Sequence, residues 1–117
     1  MPSPFYALTD EMIANHIADS FIGIYYLAVM QNESHTIKYV GRSDINLKRR
    51  LLQHAARGAY QFFSIEETET IFEAFQLECR EWHRIEGLDN KIHPDAPSRL
   101  PYVCPYCGAG TEFETIT

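Results

Sequence analysis

The run Phe21–Met30 constrains the fold of this chain more than any other stretch. Apart from Gly23 it is wholly apolar and aromatic, a composition that suits a strand buried on both faces. Gln31-Asn32-Glu33-Ser34 then reads as a turn, and Thr36–Gly41 as a second strand, so the two segments are expected to pair as an antiparallel hairpin. Each strand carries a glycine and a tyrosine, in Gly23-Ile24-Tyr25 and in Tyr39-Val40-Gly41. If residues are paired so that their numbers sum to an even value, Tyr25 and Tyr39 project from one face; a slip of one residue separates them. The sequence leaves both registers open.

Helices are expected around this hairpin. Thr9–Ser20 has Thr9 or Asp10 as N-cap and Met12, Ile13, His16 and Ile17 along one face. Leu47–Arg57 places Leu47, Leu51, Leu52, Ala55 and Ala56 on its apolar side, stacks Arg50 with His54 four residues on, and stops at Gly58. Ala59–Ile65 is a third strand. Thr68 opens a longer helix, Glu69–Glu86, ended by Gly87, and the proline-bearing stretch Asn90–Pro101 is loop. The expected class is α+β, a small three-stranded antiparallel or mixed sheet flanked by helices.

At 117 residues the chain is the size of one domain. It has no apolar run of the roughly 18–20 residues a membrane helix needs, and Met1–Asp10 lacks the basic and apolar regions of a secretory signal. A cytoplasmic protein is the expectation. The formal net charge of −6 argues against nucleic acid as a partner, but the charge is unevenly spread. Lys38, Arg42, Lys48, Arg49, Arg50 and Arg57 cluster with a single acid, Asp44, whereas Glu66–Asp89 is acidic. One basic face on an acidic protein can still grip phosphate, weakly and with strong salt dependence.

Within the long helix, Ile71, Phe75, Trp82 and Ile85 form the apolar stripe, and Glu78 falls in its middle. Burying a carboxylate is costly without a partner or a metal. Glu78 is therefore either a site residue or a rim residue paired to an arginine. Glu66, Glu67, Glu69, Glu73 and Glu81 read as surface charge.

With these landmarks in order, the chain resembles the GIY-YIG nuclease superfamily. The resemblance runs through Gly23-Ile24-Tyr25, Tyr39-Val40-Gly41, Asn46-Leu47-Lys48-Arg49-Arg50-Leu51 with His54, Glu78, and Asn90. It covers about residues 22–94, so residues 1–94 are expected to form the nuclease-like domain and 95–117 a C-terminal tail. The resemblance implies a small sheet flanked by helices that cuts phosphodiester bonds with one divalent metal. It implies Glu78 as the ligand of Mg²⁺ or Mn²⁺, Tyr25 nearest the attacking water, and Tyr39 and Arg50 on the scissile phosphate. It further implies Asn90 as the residue that holds the site together and His54 as an aid to proton transfer. Arg42, Lys48, Arg49 and Arg57 are the cations expected to touch nucleic acid. The interval between Tyr39 and the helix is one residue longer here, through Ser43-Asp44-Ile45. Rigid counting would select Arg49; the Asn-Leu-Lys-x-Arg-Leu pattern and the histidine four residues on select Arg50.

The same residues make chemical sense without the family. Phosphodiester hydrolysis needs a metal to neutralise developing charge, a cation on the non-bridging oxygens, where a guanidinium fits best, and a base. A tyrosine of ordinary pKa, about 10, serves as base only if something lowers it.

Three cysteines do not make a disulfide framework, and Cys104-Pro105-Tyr106-Cys107 has the spacing of one knuckle of a zinc site. A second pair of ligands would have to come from Cys79, His83, His93 or His35. A reduced pair without metal, or a zinc shared between two chains, fits the sequence as well. The leading expectation is a metal-dependent DNA endonuclease of repair or recombination, with DNA as partner and a further protein as a source of specificity. The alternatives are a non-catalytic nucleic-acid- or protein-binding module and a small zinc-binding adaptor.

Overall fold

The computed structural model describes residues 3–18, 21–43, 46–91, 93–94 and 103–107. Residues 19–20 of the first expected helix, the inserted Asp44 and Ile45, and most of 95–117 lie outside the described residues. The chain folds as α+β, in the order β1 (Tyr6–Ala7), α1 (Asp10–His16), β2 (Gly23–Gln31), β3 (Ser34–Ser43), α2 (Leu47–Arg57), β4 (Phe62–Glu67) and α3 (Ile71–Arg84). Among the described residues no helix is long and apolar enough to cross a membrane.

Among the described residues the sheet has four strands, not three, in the order β1-β4-β2-β3, and every pairing is antiparallel. The added strand, β1, spans two residues, too few for any periodicity to announce it. β2 pairs with β3 on one side and β4 on the other. That central place explains its apolar composition: every residue from Gly23 to Ala28 is buried. Tyr25, Leu27 and Phe63 meet Ile13, Ile17, Leu47 and Leu51 on one face. Ile24, Tyr26 and Val40 pack with Leu88, Trp82 and Ile85 on the other. Helices α1 and α2 thus cover one face and α3 the other.

Caps set the helix limits. Thr9 accepts from the Met12 amide, and α1 ends at His16, short of the expected Ser20. Asn46 accepts from the Arg49 amide, and Gly58 closes α2 at φ 71°, a left-handed conformation that favours glycine. The bounds of α2 are those expected, although its exposed Ala56 contributes nothing to the core while His54 is buried. α3 begins after Thr70 rather than Thr68. Thr70 and Glu73 form a reciprocal capping box, and a competing threonine two residues earlier has no acid at the matching position.

The hairpin register is the structural event that builds the site. Asn32 and Glu33 form a two-residue turn with both φ angles positive, and Gln31 pairs with Ser34. That turn alone gives an odd sum and would put the two tyrosines on opposite faces. Between Leu27 and Ala28 the register shifts: Ala28 pairs with Ile37, but Leu27 pairs with Tyr39. Lys38 is the extra residue of a β-bulge. Beyond it the sum is even, Tyr25 lies opposite Gly41, and both tyrosines project from the face covered by α2. A Cβ on Gly41 would collide with the Tyr25 ring and hydroxyl, so the second glycine of the motif makes room for the first tyrosine.

Candidate active site and a second polar cluster

Among the described residues β3 is an edge strand, and its outer backbone groups need partners. The loop after α3 supplies them. The Asn90 side chain donates from Nδ2 to the Val40 carbonyl at 2.8 Å and accepts from the Val40 amide at 3.4 Å. The Asp89 amide donates to the carbonyl of the bulged Lys38 at 2.6 Å. Trp82 Nε1 donates to the Asn90 carbonyl at 2.9 Å, tying the loop back to α3.

A cavity of about 560 Å³ wraps this braced edge. Tyr25, Tyr39 and Arg50 line it from one face of the sheet, Arg42 and Glu78 from the other, and Asp89, Asn90 and Lys91 from the loop. The Tyr25 and Tyr39 rings are near-parallel, 6.1 Å apart at 14°. Arg50 reaches the cavity from α2 and Arg49 is not among its lining residues; Arg49 and Arg57 are exposed on α2, with Lys48 half-buried. Asp89 and Lys91 belong to the lining although no pattern marked them.

His54 is buried and does not line the cavity directly. It stands behind Tyr25, with Nε2 at 3.1 Å from the Tyr25 hydroxyl. Tyr39 and Tyr60 pack around its ring, at 5.1 and 6.4 Å, and the Tyr60 hydroxyl donates to Asp89 at 2.9 Å. Burial, then the Arg57 and Arg50 charges, lower the His54 pKa, so the imidazole is neutral at pH 7. Burial first, with Tyr39 and Glu78 behind it, pushes the Tyr25 phenol well above its ordinary value, and Arg50 only partly offsets this. Tyr25 is a protonated hydroxyl in this setting, not a ready phenolate.

Glu78 is 8% exposed. Its Oε1 accepts from Arg42 Nη1 at 2.9 Å, and the Arg42 guanidinium lies over the Phe75 ring at 5.5 Å. Glu78 thus pairs with an arginine and also lines the cavity. Arg42 is mostly buried in that pairing. Two carboxylates, Glu78 and Asp89, line the cavity, and Mg²⁺ or Mn²⁺ retain water and take one or two protein carboxylates.

Glu81 differs from expectation. It is 3% exposed and is no surface charge. It accepts from the Tyr26 hydroxyl at 2.8 Å, from Arg84 at 2.7 and 2.9 Å, and from Arg80 at 3.2 Å. The Arg84 bonds foremost, then Tyr26 and Arg80, hold its carboxyl at about 2 against the opposing effect of burial. Tyr26 projects from the opposite face to Tyr25, which is how a strand residue comes to donate a hydrogen bond to a helix residue. Arg84, three residues on, was the one signal of this available in the sequence.

Past Glu81, the last turn of α3 carries His83, which meets His93, Cys104 and Cys107. Their ligand atoms all lie within 4.8 Å of one another. His83 Nε2 is 3.2 Å from His93 Nε2 and 3.5 Å from Cys104 Sγ, and Cys107 Sγ is 3.3 Å from His93 Nε2. Burial would raise the Cys104 thiol, yet the Tyr106 and Cys107 amides, with His93 and Cys79, bring it down to about 6. The group could hold a metal ion. Of the other candidates, His35 stacks on Phe5 at 4.7 Å near the hairpin turn. Cys79 is buried with Phe75 and Cys104, behind the cluster. The described part of the tail therefore packs against α3.

Comparison of the chain with protein-family models, with curated proteins and with solved structures found no match in any of the three.

Proposed function

We propose that the protein is a metal-dependent endonuclease that hydrolyses DNA phosphodiester bonds with one Mg²⁺ or Mn²⁺ ion, the activity its resemblance to GIY-YIG nucleases implies. The observation that carries this reading is the convergence in one cavity of Tyr25, Tyr39, Arg50 and Glu78, drawn from four separate elements. Arg50 would hold the non-bridging oxygens of the phosphate, where its planar donors suit developing charge. Tyr39 would orient the same group. Glu78 would hold the ion, completed by water and substrate oxygens. Once bound, such an ion supplies charge neutralisation and lowers the pKa of water.

The acid–base assignment follows from burial. A protonated Tyr25 beside a neutral His54 can pass a proton from the attacking water to the imidazole through its hydroxyl. His54 is then the base and Tyr25 the relay. Asn90 would brace β3 through its two bonds to Val40.

A non-catalytic nucleic-acid-binding module is the second reading, and the Arg42–Glu78 pair favours it, because it engages one carboxylate oxygen. A nicking assay decides between them, on duplex, single-stranded and branched DNA in Mg²⁺ and in Mn²⁺ at low salt. The expected result is metal-dependent cleavage that Glu78→Gln reduces by at least ~100-fold with the fold retained. Folded wild-type protein that cuts no member of the panel, or a variant that cuts equally well, would overturn the nuclease reading.

A further inference from the structure

We propose that His83, His93, Cys104 and Cys107 hold one structural zinc ion, which staples the tail and the Asn90 loop to the end of α3. The inference stands on the geometry of this cluster and not on the nuclease reading. Ligands at zinc's usual bond lengths sit at the corners of a tetrahedron, with edges of roughly 3.3 Å between two nitrogens and roughly 3.6 Å between nitrogen and sulfur. The observed separations are 3.2 Å for the nitrogen pair and 3.5 and 3.3 Å for two of the four nitrogen–sulfur pairs, and all four ligand atoms lie within 4.8 Å of one another. Four donors complete the shell and leave no open position, as in structural rather than catalytic zinc sites.

The hydrogen bonding points the same way. His93 Nδ1 lies 2.8 Å from the Pro94 carbonyl, and a carbonyl only accepts, so Nδ1 carries the proton. In the neutral ring Nε2 is then bare, with a single in-plane lone pair. That lone pair faces both His83 Nε2 and Cys107 Sγ, and it cannot serve two donors well. A cation at the centre satisfies all four groups at once. The Tyr106 amide points at Cys104 Sγ at 3.4 Å, an arrangement that supports a thiolate ligand. The Trp82 ring, 5.1 Å from each histidine ring, forms an apolar wall. Two thiolates and two imidazoles select zinc over magnesium or manganese, which prefer oxygen.

The staple joins three pieces of chain: the last turn of α3, the loop three residues past Asn90, and the Cys104–Cys107 knuckle. Two routes therefore anchor Asn90, the Trp82 bond on one side and the metal-held His93 on the other. Binding releases the thiol protons to solvent and adds its free energy to folding.

The test is elemental analysis of the full chain, expressed with zinc and purified under reducing conditions. About one zinc per chain is expected, with a Co²⁺-substituted form showing tetrahedral, thiolate-bearing absorption. Cys107→Ser and His93→Ala should each lose the metal. Cys79→Ala and Glu78→Gln should keep it, which separates this site from the cavity and from the neighbouring thiol. Chelation should lower the melting temperature by at least about 5 °C. Wild-type protein with reduced cysteines and zinc far below one per chain would overturn the proposal, as would full zinc content in both ligand variants. Neither outcome depends on whether the protein cuts DNA.

Discussion

Glu78 and Glu81 sit less than one turn apart on α3, both buried, and their surroundings are opposite. Glu81 is enclosed: a phenol and two arginines supply four bonds, and nothing is left for a ligand to offer. Glu78 pairs with Arg42 but stands at the wall of an open cavity with two tyrosines and Arg50. Burial of a carboxylate therefore does not by itself mark a site. What distinguishes the two is their surroundings: Glu81 lies inside a network of four bonds, whereas Glu78 lines a cavity. The same helix secures its C-terminal half to the sheet through one acid and sets the other at the cavity wall.

Making the same substitution at both positions is the sharpest way to break this contrast. Glu78→Gln has the largest expected effect, near-complete loss of cleavage in protein that remains folded, well beyond what the lost Arg42 pairing costs in stability. If activity instead falls in proportion to stability, Glu78 is a structural acid like its neighbour. Next comes Tyr25→Phe, expected to lower the rate by about 100-fold while altering DNA affinity little, because the hydroxyl acts in the transition state. Equal losses of rate and affinity would make Tyr25 a binding group. The pH profile sharpens the point. His54 has a folded pKa below 6.5, so it loses its base form only as pH falls below that value. Cleavage should persist down through pH 6.5; an acid limb centred at or above 6.5 would remove His54 as the base.

Glu81→Gln is expected to cost about 2 kcal/mol of stability, the scale of lost bonds to charged groups, and to leave the rate of the folded protein intact. The sign with pH is definite. A carboxyl held at about 2 in the folded chain against an ordinary 4.5 stabilises fully above pH 4.5, and that contribution fades as pH falls towards 2. Urea melts of wild type and variant should converge across that window, and parallel curves would count against the network. Tyr26→Phe is the smallest change, about 1 kcal/mol. A loss of cleavage there would show that the two faces of the sheet are coupled.

The parts of this architecture that sequence exposes are those with a local cause. Asn46 and Gly58 bracket α2, and the apolar run of β2 requires a central strand. The C-x-x-C spacing singles out Cys104 and Cys107. Where the cause is distant, the pattern is silent or misleading. Glu81 resembles any surface acid until Tyr26 is brought to it from another element. His83 and His93 stand equal with His35 and Cys79 until folding selects them. Arg42 reads as one more cation of a basic face, and its pairing with Glu78 depends on α3 crossing the sheet. The start of α3 is a different kind of miss, because Thr70 with Glu73 three residues later is a capping box visible in the sequence.

The bulge at Lys38 turns the distance between the two tyrosines into a matter of parity. With a two-residue turn fixed at Asn32-Glu33, lengthening both arms together preserves the arrangement, whereas gaining or losing one residue on one arm alone exchanges inside for outside. Kinship between hairpins of this kind is better judged by whether that interval is odd or even than by its length, and an alignment that treats single gaps there as cheap will pair strands that cannot build the same cavity.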